Sequence, residues 1–307
     1  MLLWGLAEEA EALSRDRQNS RYLPGADLPD SVSCTSDMTE ALCEREAVLM
    51  AIPSAGVREV AGLVAGLIHP RTLLINAGKG LESDTGLRGS QVIRDLLGED
   101  IGNSCVALSG PNLAVELAKE TPTATVVASS DQNRALDAQQ LLSCPSLRVY
   151  RNSDVVGVEL GGALKNVIAI GAGISDGLGY GDNTKATLIT RGLREMIRVG
   201  KAMGAIPDTF YGLSGLGDLM ATSASRLSRN LRLGYMLGQG GDVQESLKAL
   251  GQVAEGMPTC KAARALGQEH DVDMPITEQI YAVLFEAKAP KAAVRDLMTR
   301  EYKDELR

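Results

Sequence analysis

Histidine is the scarcest ionisable residue in this 307-residue chain, occurring only as His69 and His270. Two histidines make no metal cluster and leave little room for imidazole chemistry, so a lysine or a carboxylate must move any proton. No metal site is expected. The five cysteines, Cys34, Cys43, Cys105, Cys144 and Cys260, are odd in number, scattered and never in C-x-x-C spacing. They suggest neither a disulfide framework nor a structural zinc, and a reducing cytoplasm fits them best. The sequence shows no apolar run read as a membrane span, and the opening MLLWGLAEEAE turns acidic too early for a signal peptide. Basic charge is also in deficit: 31 Lys and Arg against 39 Asp and Glu give a formal charge of −8, which argues against a nucleic-acid surface. A KDEL string at 303–306 is followed by Arg307, so it reads as solvated tail and not as a retention signal.

What the chain does hold is glycine, 33 residues, well above the usual share of about 7%. From residue 47 to 150 short apolar runs alternate with helical patterns, the layout of a parallel sheet with crossover helices. Strands are expected at 47–52, 72–76, 105–109, 124–128 and 147–150. Val57, Val60, Ala61, Val64 and Leu67 place a helix between the first two. Beyond Arg151 the period becomes 3.6. One helix opens at Asn152 or Ser153 and runs through Ile168; a second starts near Asp182 or Asn183 and stops at Gly204. The expected architecture is an α/β Rossmann-like domain over residues 1–150 and an all-α domain over 151–307.

A dinucleotide-binding half needs a strand, a G-x-G-x-x-G turn and a helix, and no such turn lies near the start of this chain. Gly171-Ala172-Gly173 lacks the third glycine and follows a helical pattern, so close helix packing is its expected role.

Four segments carry a resemblance: Asn76-Ala77-Gly78-Lys79-Gly80; Ser109-Gly110-Pro111-Asn112-Leu113-Ala114; the run Glu159 to Val167; and Gly215-Leu216-Gly217-Asp218 with Ser228-Arg229-Asn230. Together, in order and spacing, they resemble the bacterial-type NAD(P)-dependent glycerol-3-phosphate dehydrogenases over nearly the whole chain. The resemblance implies that the chain begins at the family's second strand, Leu2-Leu3-Trp4-Gly5, with one strand-and-helix unit encoded upstream of Met1. Because the first strand of a doubly wound sheet is central, unpaired edges are expected mid-sheet, with poor folding or weak cofactor binding. Leu6 stands where the family often has a basic residue near the cofactor ribose, and Asn112 where Ser or Thr is commoner.

The implied reaction is reduction of dihydroxyacetone phosphate to sn-glycerol 3-phosphate with NADH or NADPH, for glycerophospholipid synthesis. Lys165 is the expected acid, in a helix of small and apolar residues that would lower its pKa; on pattern alone it would be a snorkelling lysine. The resemblance assigns Lys79, Gly110, Asn112, Lys165, Asn166, Asp218, Thr222, Ser228, Arg229 and Asn230 to substrate. It assigns Lys79, Ala114, Arg229, Val253 and Glu255 to cofactor. Read as residues alone, Ser228 is equally a helix cap and Asp218 an ion-pair partner of Arg229. The expected partner is a small phosphorylated substrate, with no nucleic acid and no membrane insertion, and the reading admits a homodimer. Two rivals stand beside it: an inactive remnant serving as a binding or dimerisation module, and a related two-domain hydroxy-acid reductase.

Overall fold

A computed structural model describes residues 1–302 and 304–305. Lys303 and Leu306 of the KDEL string, and Arg307, lie outside the described residues.

The strands are β1 (Leu2–Trp4), β2 (Ser33–Thr35), β3 (Ala47–Met50), β4 (Leu73–Asn76), β5 (Val106–Ser109), β6 (Thr123–Ala128) and β7 (Leu147–Asn152). Between them run helices α1 (Ala7–Asp16), α2 (Met38–Leu42), α3 (Val57–Val64), α4 (Gly89–Leu97), α5 (Glu99–Ser104), α6 (Ala114–Ala118) and α7 (Gln132–Leu142). The second half is helical: α8 (Val155–Gly177), α9 (Asp182–Ala202), α10 (Asp218–Ala224), α11 (Arg229–Gly238), α12 (Val243–Leu250), α13 (Gly256–Glu269), α14 (Pro275–Phe285) and α15 (Pro290–Met298).

The strands form two sheets. β1 and β2 pair in parallel by themselves, while the other five lie in the order β3-β4-β5-β6-β7. Among the described residues β1 and β3 do not pair, so no backbone ladder joins the two sheets. One strand departs from the parallel expectation: β6 runs antiparallel to β5. The reason is the short connection. Its only helix, α6, has five residues and rises about 7.5 Å, too little to carry the chain back along the sheet for a parallel return. The sheet is therefore mixed, and β4 and β5 end side by side, presenting the loops that begin at Ala77 and Gly110.

Asp154 caps α8 by accepting the Gly157 N–H at 2.8 Å, whereas Asn152 and Ser153 were the expected openers; the Asn152 side chain instead accepts the Asp154 N–H. α8 is long and apolar enough to cross a membrane, which the sequence reading did not register, yet 83% of its apolar window is buried. It is the core of the helical half. α11 crosses it at two pairs of glycines: a Cβ on Gly173 would stand 2.1 Å from the Leu231 carbonyl oxygen, and one on Gly234 would stand 2.0 Å from that of Ile170. Gly177 and Gly238 meet in the same way one turn on. Close helix packing is thus what Gly173 provides. Glu195, buried on α9, accepts the Ile276 and Thr277 N–H groups at 2.6 and 3.0 Å and so caps α14; burial pushes its carboxyl up to about 7.

Gly234→Ala tests the crossing. The added methyl meets backbone, which cannot turn aside, so α11 must move off α8 at a cost of about 3 kcal/mol or more, read as a lowered urea midpoint. An unchanged midpoint would show that the crossing is loose.

Candidate active site

Asp218 is the centre of the site. Its Oδ1 accepts from Lys165 Nζ at 3.0 Å and its Oδ2 from Lys79 Nζ at 2.9 Å, so one carboxylate holds two ammoniums from opposite halves of the molecule. Lys165 also donates to Thr222 Oγ1 at 2.7 Å, and Lys79 to the Gly110 carbonyl at 2.6 Å. An ammonium has three donors. Each lysine therefore keeps one N–H uncommitted among the described residues.

Local sequence explains the placement. A π-helical turn over Leu213–Gly217 leads into α10, and π turns inside helices commonly aim functional side chains. Gly161 and Gly215 let this turn lie against α8: a Cβ on Gly161 would be 3.0 Å from the Ser214 carbonyl oxygen, and one on Gly215 would be 2.1 Å from that of Phe210. Asp218 and Thr222 then share one face, as their spacing predicts. Gly110 sits at φ 129, with Thr125 Cα 3.2 Å from where its Cβ would be, so glycine alone lets this carbonyl turn toward Lys79.

Lys165 is 6% exposed and does not snorkel. Desolvation lowers its pKa to about 8, helped by the nearby Lys79 charge and opposed by Asp218 and Glu255. Asp218 does not pair with Arg229; the two lysines occupy its carboxylate.

A second chain of bonds runs beside the first. The Gly256 N–H donates to Asn230 Oδ1 at 2.9 Å, Asn230 donates to Asn166 Oδ1 at 2.8 Å, and Asn166 donates to the Lys79 carbonyl at 3.2 Å. The structure thus brings together Lys79, Gly110, Lys165, Asn166, Asp218, Thr222 and Asn230. Asn112 is one step away, its Oδ1 2.8 Å from the Thr125 hydroxyl. Ser228 caps α11, its Oγ accepting the Leu231 N–H at 3.2 Å. Arg229 follows, half-buried and without a hydrogen-bond or ion-pair partner among the described residues. Ala114 and Val253 are exposed and join no bond of the cluster.

Sequence reasoning assigned no role to Glu159, Arg88, Ser90 or Ser54. Glu159 lies inside the quoted α8 run, but nothing local identifies its partners, which come from 69 and 71 residues upstream. Glu255 bridges the halves as well, Oε1 accepting the Ser54 N–H at 2.9 Å. Val253, two residues before it, is half-exposed. No glycine turn from a strand into a helix, of the kind a pyrophosphate needs, occurs at the β1 or β3 edge among the described residues.

Two cations, one anion and converging amides suit an enzyme that must stabilise a developing oxyanion beside an anionic substrate. The comparisons agree. Residues 1–135 match the family model of the NAD-dependent glycerol-3-phosphate dehydrogenase N-terminus, and residues 154–295 that of its C-terminus. The chain is 48% identical over 301 residues to a glycerol-3-phosphate dehydrogenase [NAD(P)+] of Pelotomaculum thermopropionicum, covering 98% of this chain and 86% of that one. The crystal structure of the Coxiella burnetii glycerol-3-phosphate dehydrogenase superposes with a TM-score of 0.93 at 36% identity, covering 97% of this chain and 91% of that one. The chain belongs to the NAD(P)-dependent glycerol-3-phosphate dehydrogenases, an oxidoreductase family. A D-mandelate dehydrogenase, by contrast, is 11% identical with a TM-score of 0.62 over 95% of this chain and 91% of that one, a likeness of fold alone.

Asp218→Asn leaves two ammoniums without their shared counterion. The pKa of Lys165 should fall below about 8, and stability should drop by about 3–5 kcal/mol, as when a buried pair loses one partner. The pH dependence of Lys165 acylation, followed by mass spectrometry, checks the first and urea denaturation the second.

Proposed function

We propose that this chain reduces dihydroxyacetone phosphate to sn-glycerol 3-phosphate with NADH or NADPH, in the cytoplasm, to supply glycerophospholipid synthesis. The observation that carries the reading is the Lys165 ammonium, buried, held by Asp218 and Thr222, and left with one free donor beside a second cation. In this reading residues 1–150 hold the cofactor and 151–307 the substrate.

When bound, the reduced nicotinamide supplies hydride to the ketone carbon. The residues do the rest. As the carbonyl oxygen gains negative charge, the free N–H of Lys165 donates to it, and the proton passes from Nζ to that oxygen, leaving a neutral amine. Burial favours this transfer, because an ammonium with a pKa of about 8 gives up its proton more readily than an exposed lysine. Lys79 adds charge stabilisation from the sheet side. Asp218 and Thr222 orient both amines, and Asn166 with Asn230 fixes the Lys79 backbone. Arg229, unpartnered at the N-terminus of α11, pairs with the phosphate, where the helix dipole also favours an anion. Gly110 and Asn112 line the same side as Lys79, Ser228 keeps α11 in place, and Glu255, Val253 and Ala114 serve the cofactor.

A remnant used only for binding would have no need to keep two amines desolvated around one carboxylate. A hydroxy-acid reductase would have no phosphate for Arg229. Comparison of dihydroxyacetone phosphate with dihydroxyacetone separates these readings: the phosphorylated ketone should be preferred by a factor of 100 or more, about 3 kcal/mol, and Arg229→Leu should erase most of that preference. Equal rates on both ketones would defeat the phosphate assignment. No turnover of either, together with no change of NADH fluorescence on titration, would favour the remnant.

The proton route has its own signature. Reduction needs the Lys165 ammonium, so its kcat/KM should be flat below about pH 8 and fall above it. Oxidation of glycerol 3-phosphate needs the neutral amine and should rise through the same pH. Lys165→Met should remove both limbs and lower the rate by about 10²- to 10⁴-fold.

A further inference from the structure

Glu159 lies on α8, seven residues before Asn166, and so on the same face two turns away. Its carboxylate is almost fully buried and takes three donors, all from the sheet half. Oε1 accepts the Ser90 N–H at 2.7 Å; Oε2 accepts Ser90 Oγ at 2.6 Å and Arg88 Nη1 at 2.6 Å. Arg88 cannot accept, so it cannot cap α4 with its own side chain, and Glu159 supplies the acceptor to the first turn of that helix from across the molecule. The negative charge sits both at a helix N-terminus and against a guanidinium.

Arg88 is also the far end of the excursion that begins at Lys79. Leu81 bridges to Arg88, and the Glu82 N–H donates to the Leu87 carbonyl at 2.9 Å, closing the segment into a loop. That loop touches α8 at two points: Asn166 holds the Lys79 carbonyl at its start, and Glu159 holds Arg88 and Ser90 at its end. Lys79 reaches Asp218 from a segment pinned at both ends.

We infer that Glu159 is a positioning residue for the reaction, a clamp that fixes the reach of Lys79 toward Asp218 and Lys165 without touching substrate itself. The inference rests on the proposed function for its consequence and on the hydrogen-bond geometry for its cause. A carboxylate is required and not merely an acceptor, because an amide in its place would turn one of its groups against Arg88 or leave a Ser90 donor unmet. Without the clamp the loop loses its far hold on α8 and keeps Asn166 at Lys79, Leu81 in the helical core and Arg58 on Glu82, so Lys79 shifts relative to Asp218.

Lys165 itself reports the position of Lys79. The charges that bear on its amine are Asp218 on α10 and Glu255 before α13, which favour the ammonium, and Lys79 from the sheet, which opposes it. Around Glu159 the facing groups are Arg88 and the buried Cys105 thiol. If Lys79 moves away, Lys165 becomes easier to protonate, and its amine reacts more slowly at a given pH.

The test measures acylation of Lys165 against pH by mass spectrometry in the full chain, for wild type, Glu159→Gln and Lys79→Met. Lys79→Met removes the opposing cation outright and sets the scale. Glu159→Gln should slow Lys165 acylation at pH 8 by about two- to fivefold, in the same direction as Lys79→Met. An unchanged Lys165 titration in folded Glu159→Gln, whatever its stability, would overturn the clamp. If Glu159→Gln does not fold, Ser90→Ala removes a single hydroxyl from the same carboxylate, and a smaller slowing of the same sign is then expected; no slowing overturns the inference. The outcomes also separate the two readings. A wild-type Lys165 that titrates like an exposed lysine would count against its role as the acid, whereas a response to Lys79→Met without one to Glu159→Gln would count against the clamp alone.

Discussion

One carboxylate shared by two ammoniums governs this structure. Lys79 and Lys165 approach the same group from opposite halves, and without Asp218 their like charges would repel by several kcal/mol at an interior dielectric of about 20. Asp218 is the one carboxylate bonded to both ammoniums, with Glu255 acting on Lys165 from farther off. In a protein of net charge −8 two ammoniums are thus gathered at one point, with Arg229, which has no ion pair among the described residues, one position before Asn230 of the adjoining amide chain.

Holding that cluster places a contradictory demand on α8, which must be the apolar core of the helical half and must carry a buried amine. Small residues resolve it. Gly161 admits the turn that delivers Asp218, Gly162 lies against Ser109 beside the Lys79 stem, and Gly173 and Gly177 let α11 approach within backbone contact. The close crossing brings Asn230 to Asn166 and so places Arg229 at the same end of the helix. Because backbone packs on backbone there, the site inherits the rigidity of the core.

Much of this was legible in the sequence, for identifiable reasons. The five strands after residue 46 are apolar runs bounded by breakers, and they appear within two residues of their expected ends. The long helices follow from their period. The site was readable only through several short strings taken together, because Lys165 alone looks like any helix-surface lysine and Asp218 like the partner of the nearest arginine. What escaped was everything decided at long range. The direction of β6 depends on how little chain α6 spans, and Glu159 finds its partners some 70 residues upstream. Asp218 meets lysines 53 and 139 residues away, a choice that no local charge pattern records.

The bonds that join the halves are gathered at one place. Lys79 to Asp218, Asn166 to the Lys79 carbonyl and Glu159 to Arg88 all involve the loops and helix that follow β4, with the Glu255 bridge to Ser54 beside them. Between β1 and β3 no backbone ladder runs among the described residues. The unit of β1, α1 and β2 is tied to the rest through side chains such as Met38 and Leu42, which pack with α3, and not through the sheet. The contacts that assemble the Asp218 cluster therefore lie on the β4 side of the sheet, away from the β1–β2 pair. The cluster is assembled before any ligand arrives, since its amines already have their partners. The groups around Asp218 are fixed by bonds from both halves, so the arrangement there is among the parts of the fold least open to local unfolding.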